Sequence, residues 1–270
     1  MRTVRSLGRS HAWELREAES PEWGRVFVKT DATSGSAAVF AAEAAGLRWL
    51  GEAGAVGVAE VLEVTGERLV VSWVEAGVAS ARTAEGFGRG LARLHAAGAE
   101  GFGAPWAGFI ARIPMDNRPV GAWAEFYAVR RLAPFVRAAR DAGRLSARDA
   151  GVLDRVAERL PAVAGPAEPP ARIHGDLWSG NVMWVADGAV LVDPAAHGGH
   201  RETDLAMLAL FGLPRLGAVL AAYQEETPLA DGWRERVPLH QLHPLLVHVC
   251  LYGGSYRDSL LDAAARVLAL

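Results

Sequence analysis

The sequence predicts an α+β fold divided near residue 76, with strands gathered before that point and helices after it. Two observations carry this. Val26-Phe27-Val28-Lys29 and the runs 59–64 and 68–74 are short, apolar or β-branched, and bounded by turn residues. From Thr83 onward, apolar residues recur at helical spacing in one segment after another. The predicted parts are 1–76 and 77–270, and 270 residues suffice for one large domain or for two lobes with a shared cleft. A third observation organises the rest. His174-Gly175-Asp176-Leu177-Trp178-Ser179-Gly180-Asn181 leads into a hairpin predicted over 182–185 and 189–192, turned at Asp187-Gly188. Asp176 and Asn181 then sit on the loop entering the hairpin, and Asp193 sits at its exit.

Composition narrows the function. Apolar residues make up 51% and charged residues 22%, as in a soluble globular protein. A net charge of −3 gives no electrostatic case for nucleic acid or an anionic membrane surface. Cys250 is the only cysteine, so no internal disulfide can form. The first ten residues lack the apolar core of a signal peptide, and no apolar run is long enough to span a bilayer. The expected location is cytoplasmic, with no obligate protein partner evident. Lys29 is the only lysine among many arginines, which marks it as a place where a compact point charge is wanted.

Taken in order, residues 3–15 and 26–30 read as strands, with a polar turn over 19–24 holding Pro21 and Gly24. Leu7-Gly8-Arg9-Ser10-His11 lies where a phosphate-covering turn is expected, although it carries a single glycine. The 36–53 segment reads as a helix, since Phe40, Ala44, Leu47 and Leu50 fall at helical spacing. Glu43 flanks that stripe, where it is either a solvated face residue or the partner of Lys29. The runs 59–64 and 68–74 form a hairpin turned at Thr65-Gly66-Glu67. Ser72 to Gly77 then leaves the sheet, either as a plain connection or as a linker meeting an adenine edge.

The second part opens with a helix over 83–97, closed by Gly98. His95 there reads as structural. Residues 98–118 are irregular and rich in Trp106, Phe109 and prolines, a length of loop that is often functional. Helices are predicted over 123–142, over 144–160 with Ser146 as N-cap, over 205–211, over 215–226 and over 238–268. Residues 161–170 read as a surface connector. His197 and His200 lack the company of a zinc site. Asp204 is either an N-cap or a brace for the loop at His174.

One carboxylate to orient an acceptor hydroxyl, with an amide oxygen and a second carboxylate to hold Mg²⁺, is the set that phosphoryl transfer from ATP requires. His174, Asp176, Leu177 and Asn181 match a kinase catalytic loop, and Asp193 stands where the metal-binding aspartate follows. The Val28-Lys29 strand end and Glu43 supply a phosphate-orienting ion pair in the same template. Taken singly, these residues would read as turn and cap residues; their order and spacing together favour catalysis.

With these pieces in place, the chain resembles the fructosamine kinase (ketosamine-3-kinase) family, in the aminoglycoside-phosphotransferase-like branch of the protein-kinase fold. The likeness runs nearly the whole length. It is most specific at Arg172-Ile173-His174-Gly175-Asp176-Leu177-Trp178-Ser179-Gly180-Asn181, at Val192-Asp193-Pro194-Ala195, and from Gly199-His200-Arg201-Glu202 to Met207. The resemblance implies a small β-rich N-terminal lobe and a larger, mainly helical C-terminal lobe. It implies ATP- and Mg²⁺-dependent phosphorylation of the sugar 3-hydroxyl of a fructosamine or ribulosamine, a deglycation reaction. By position, Asp176 would be the base, Asn181 and Asp193 the metal ligands, and Lys29 and Glu43 the phosphate-orienting pair. The Ser72 and Val74 backbone would meet adenine. Trp178, His200 and Arg201 would lie at or near the sugar-amine site, with His174 and Asp204 supporting the loop. The alternatives are an aminoglycoside or other amino-alcohol phosphotransferase of the same fold, and a catalytically inactive nucleotide-binding module.

Overall fold

The computed structural model describes residues 1–10, 12–31 and 35–270. The N-terminal part is a five-stranded antiparallel sheet in the order β1-β2-β3-β6-β5. Its strands are β1 (Arg2–Ser10), β2 (Trp13–Ser20), β3 (Gly24–Asp31), β5 (Val61–Val64) and β6 (Arg68–Ser72), while β4 (Gly57–Val58) lies outside it. The 3–15 segment is therefore two strands, not one, folded back so that Ser10 pairs with Trp13. Period-2 alternation in β3 divides its side chains between the two faces. Val26 and Val28 pack with Ala18 and Val70 on one face. Phe27 turns to the other face, under α1 (Ala37–Glu52), where Trp13, Phe40, Leu47 and Leu69 are buried. Lys29 shares the Phe27 face by the same alternation and so meets α1.

The second part is mainly helical. It begins at α2 (Ala81–Ala96), where Ser80 and Thr83 make a reciprocal capping box. The 98–118 segment holds a small hairpin of β7 (Gly108–Ile110) and β8 (Ile113–Met115). The predicted 123–142 helix is α3 (Trp123–Phe126) and α4 (Ala133–Asp141), joined by a π-helical stretch over Tyr127–Leu132. That stretch buries Arg131 and Leu132 together. Then come α5 (Ala147–Val163), capped by Ser146, and β9 (Ala171–Ile173). The hairpin of β10 (Val182–Val185) and β11 (Gly188–Leu191) follows, and then β12 (His197–Gly199), which pairs back on β9.

Four helices complete the chain: α6 (Arg201–Leu210), α7 (Leu216–Glu226), α8 (Trp233–Tyr252) and α9 (Arg257–Leu268). Helix α6 starts at Arg201, earlier than its apolar pattern indicates. The 238–268 prediction divides into α8 and α9 because Gly253 takes φ +83°, which ends a helix at little cost to glycine. Strand β4 pairs in parallel with β11 and ties the two parts together beneath the site. Among the described residues, no helix is long and apolar enough to cross a membrane.

Candidate active site

The loop after β9 carries the site. His174 is fully buried. Its Nε2 lies 3.0 Å from the Val192 carbonyl, which only accepts, so Nε2 carries the proton. The Asp176 amide then donates to His174 Nδ1 at 3.2 Å. The ring is thus neutral with a fixed tautomer, and burial holds its pKa below the ordinary imidazole range. Gly175 follows at φ +81°, and any Cβ there would strike the Ala195 carbonyl. Leu177 anchors the loop in the core. Asn181 folds back over it, its Nδ2 donating to the Asp176 carbonyl at 2.8 Å and to Asp176 Oδ2 at 3.2 Å.

Asp204 braces this loop from the first turn of α6. Its carboxylate accepts the His174 amide at 2.7 Å and the Gly175 amide at 2.9 Å. His95 Nε2, on α2, lies 3.2 Å from the same carboxylate. His95 Nδ1 reaches the Tyr223 hydroxyl at 2.8 Å. Of the two readings of Asp204, the brace is what the geometry displays, since His200 is the N-cap of α6.

Lys29 crosses from β3 to meet two acids. Its Nζ lies 2.8 and 3.0 Å from the Glu43 oxygens and 2.7 Å from Asp193 Oδ1. The ammonium also sits 4.9 Å from the centre of the Trp13 ring, within cation–π range. Burial alone would lower the Lys29 pKa, but the two carboxylates outweigh it and raise it. Burial raises Glu43 to about 7, against the pull of Lys29. Asp193 is open to the cleft over 51% of its side chain, yet protein surrounds it on the other sides. Those surroundings push it up, but the Lys29 charge outweighs them and holds it below the ordinary carboxylate range. Asp176 is pushed up to about 8, first by burial and then by the like charge of Asp193.

Of these groups Glu43, Asp176 and Asp193 open on a cleft of about 640 Å³, whereas Lys29 and Asn181 do not line it. Asp176, Glu43, Asp193 and Trp178 line it, together with Trp106 and Phe109 from the 98–118 segment. Trp178 is 41% exposed. Ser10, at the tip of the β1–β2 hairpin, also lines it; His11 of the predicted phosphate-covering turn lies outside the described residues.

The donor set suits Mg²⁺. Asn181 Nδ2 is committed to carbonyl acceptors at Asp176 and Asp193, so its Oδ1 remains free to ligate. With the open Asp193 carboxylate, that makes two hard oxygen ligands, enough for an ion that keeps most of its water.

The structure does not bring every predicted residue here. Ser72 donates its amide to the Glu60 carbonyl at 2.9 Å and accepts the Glu60 amide on Oγ at 2.9 Å. Neither Ser72 nor Val74 lines this cleft. His200 is 4% exposed, caps α6, and packs 4.9 Å from the Trp123 ring. Arg201 forks onto Glu168 at 2.6 and 2.7 Å. Both are absorbed in holding α6 and lie off the cleft. His200, Glu202 and His240 converge, but Arg236 donates to both Glu202 oxygens, at 2.6 and 3.0 Å, and commits that carboxylate to an ion pair. Tyr223 belongs to no motif, and only its closeness to His95 in the folded chain marks it as part of the brace.

A lysine–glutamate pair beneath a sheet, a braced loop aspartate, and an amide and carboxylate at the mouth of a hairpin define a two-lobed, protein-kinase-like phosphotransferase. The family model for fructosamine kinase matches residues 8–269, and the chain belongs to that family. It is 37% identical to the "Probable ketoamine kinase" of Thermus thermophilus, over 88% of this chain and 85% of that one. It is 32% identical to the chloroplastic protein-ribulosamine 3-kinase of Arabidopsis thaliana, over 88% of this chain and 74% of that one. A crystal structure of a "putative fructosamine-3-kinase" from Thermobifida fusca superposes with a TM-score of 0.95 at 51% identity, covering 98% of this chain and 93% of that one.

Proposed function

We propose that this kinase transfers the γ-phosphoryl group of ATP to the 3-hydroxyl of a ketosamine, a fructosamine or a ribulosamine, as a deglycation step. The observation that carries the reading is the Lys29–Glu43–Asp193 triad beside Asp176, since it gathers phosphate, metal and acceptor functions at one cleft. In this assignment residues 1–76 form the nucleotide-binding lobe and 77–270 the catalytic and substrate lobe. Asp176 aligns the hydroxyl and takes its proton. Lys29, held by Glu43, meets the phosphates. Asn181 and Asp193 hold Mg²⁺, which when bound neutralises developing phosphoryl charge. With the Ser72 amide held by Glu60, adenine recognition falls to the backbone at Val74, just beyond the end of β6. Trp178 offers a ring face to the sugar-amine. A cytoplasmic setting, where ATP and Mg²⁺ are at hand, suits this chemistry.

Coupled ADP release with Mg²⁺-ATP tests the reading on fructosyl-lysine, ribulosyl-lysine and kanamycin. Turnover on a ketosamine is expected, and Asp176→Asn should reduce it by about 10²-fold or more. Turnover on kanamycin alone would keep the fold and move the acceptor class. ATP binding without any turnover would favour the inactive module, against which the intact triad stands.

A further inference from the structure

Helix α1 carries Glu43, and its far end is held by a residue of the strand that leads into the catalytic loop. Arg172, on β9, lies two positions before His174 and four before Asp176. Its Nη1 donates to the Trp49 carbonyl in the last turn of α1, and its Nε donates to the Gly98 carbonyl, just past α2, at 3.4 Å. The last carbonyls of a helix have no partner within it and form its negative pole. Helix α1 has no basic residue of its own in that turn. The Ala53 amide turns to the Leu50 carbonyl, at 3.3 Å, and leaves the Trp49 carbonyl to Arg172. One guanidinium thus closes the C-terminal ends of two helices. Its side chain is only 15% exposed, so water competes little for either bond.

The rings here hold the same point. The guanidinium sits 4.5 Å from the centre of the Trp49 ring, within cation–π range. Trp106, a wall of the cleft, meets the Trp49 ring edge-on at 5.5 Å and 69°. Midway between Trp49 and Glu43, Gly46 brings α1 tight against the chain that follows Asp193. A Cβ at Gly46 would come within 3.1 Å of the Ala196 Cβ and 3.5 Å of Pro194. Glu43, Gly46 and Trp49 follow at three-residue steps, about 4.5 Å of helix rise each. Gly46 is therefore a pivot with equal arms, and a displacement of the Trp49 end reaches Glu43 at nearly full size. The Glu43 bonds to Lys29, at 2.8 and 3.0 Å, have little slack to absorb it.

We propose that Arg172 is a positioning residue for phosphoryl transfer. Through Trp49 and α1 it sets the place of Glu43, and through Glu43 that of the Lys29 ammonium. The helix bearing Glu43 and the strand leading to Asp176 then move as one body across the two lobes. The inference rests on the assignment of Lys29 and Glu43 to the phosphates.

Lys29 is the only lysine in the chain, so protein labelled with ¹³C-lysine gives one set of lysine side-chain signals. That set reads the surroundings of the ammonium with no acceptor present. Arg172→Met keeps an apolar stem over Trp49 and removes both hydrogen bonds. Its Lys29 Cε–Hε signal should move from the wild-type position toward that of Glu43→Gln. With Mg²⁺-ATP and fructosyl-lysine or ribulosyl-lysine, its kcat should fall on the order of tenfold, as a small misplacement of reacting groups costs. In a Glu43→Gln background the same substitution should cost about twofold or less, because the group it acts through is gone. Arg172→Lys returns a donor to the Trp49 carbonyl without the planar fork and should keep kcat within about threefold of wild type. Trp49→Leu takes away the ring and no hydrogen bond; it should move the Lys29 signal the same way by less, and it reads the clamp if Arg172→Met does not fold. A Lys29 signal unmoved in the folded variants, or kcat losses that multiply in the double variant, would overturn the clamp and leave the roles of Lys29 and Glu43 standing. Wild-type kcat in Glu43→Gln would overturn those roles and the clamp with them. No turnover on either acceptor would overturn the ketosamine reading alone, since the Lys29 signal still decides the clamp.

Discussion

Lys29 and Asp193 are 164 positions apart in the chain and 2.7 Å apart in the structure. One buried ammonium thus joins β3 of the sheet to the exit of the β10–β11 hairpin, with Glu43 on its other side. Lys29→Met would strip the cation from both acids. Breaking a buried ion pair from one side costs about 3–5 kcal/mol, because the partner charge stays behind. Turnover should fall on the order of 10²-fold or more, since charge stabilisation is lost too. Adding Glu43→Gln to Lys29→Met should recover part of the thermal stability and none of the ADP release. A double variant no more stable than the single one would refute the account of the triad.

Asp204 does for the loop what Lys29 does for the lobes. It accepts two adjacent backbone amides and faces His95, all within a fully buried setting. Burial raises its pKa, and the His95 and His174 partners outweigh that and lower it. Asp204→Ala leaves two buried amides without an acceptor, at about 1–3 kcal/mol each. Asp204→Asn keeps one acceptor oxygen and turns an N–H toward a donor. The expected result is a kcat loss on the order of tenfold or more for Asp204→Asn, with ATP affinity within about twofold by calorimetry. A large loss of ATP affinity instead would place Asp204 in nucleotide binding.

The site was legible where chemistry and chain order coincide. Lys29, Asp176, Asn181 and Asp193 each carry a residue type that phosphoryl transfer needs, in the order the fold supplies. The packing around them was harder to read. The π-helical stretch at Tyr127–Leu132 buries Arg131 and exposes Val129, so the apolar pattern does not mark it; Pro134, in the first turn of α4, is the one signal of a break that the sequence carries. Helix α8 is buried nearly all round and contains Pro238 and Pro244, which blurs both its start and its period. His200 and Arg201 sit in a distinctive motif, and the motif proves to hold a helix start in place and not to line the cleft. The contacts of Tyr223 with His95 and of β4 with β11 join distant segments that no local pattern connects.

Gly175 is a point where backbone geometry alone dictates the residue. It holds φ +81°, and an added Cβ would collide with the Ala195 carbonyl. The same Ala195 donates its amide to the His174 carbonyl at 3.0 Å, so neither strand of this contact can yield freely. Gly175→Ala should therefore shift the loop and cost both stability and turnover, the latter by about 10²-fold, as expected when reacting groups are misplaced by about 1 Å. Gly143, also at positive φ but with open space around it, is the control. Gly143→Ala should cost about 1–2 kcal/mol of stability from the strained backbone and leave kcat within about twofold. Equal kcat losses in the two variants would remove the steric argument.

Asp176 makes the stability of the fold pH-sensitive in a definite direction. Its pKa rises from 3.8 to about 8 in the folded protein, first through burial and then through Asp193. Between those values the folded protein keeps a proton that the unfolded chain has lost. Stability therefore falls as pH rises through this window, and the full penalty is present above about pH 8. Asp176→Asn removes the titration. Without divalent cation, the variant and the wild type should melt together near about pH 4. The variant should melt higher near about pH 8.5, by roughly 2–4 °C for each kcal/mol of relieved penalty. Glu43 also titrates in this window, but it is present in both proteins and cancels from the difference. Mg²⁺ held by Asn181 and Asp193 would offset the like charge at Asp193, so added Mg²⁺ should narrow the gap at high pH. A gap that stays constant from about pH 4 to 8.5 would show that Asp176 is ionised throughout, as an ordinary carboxylate is.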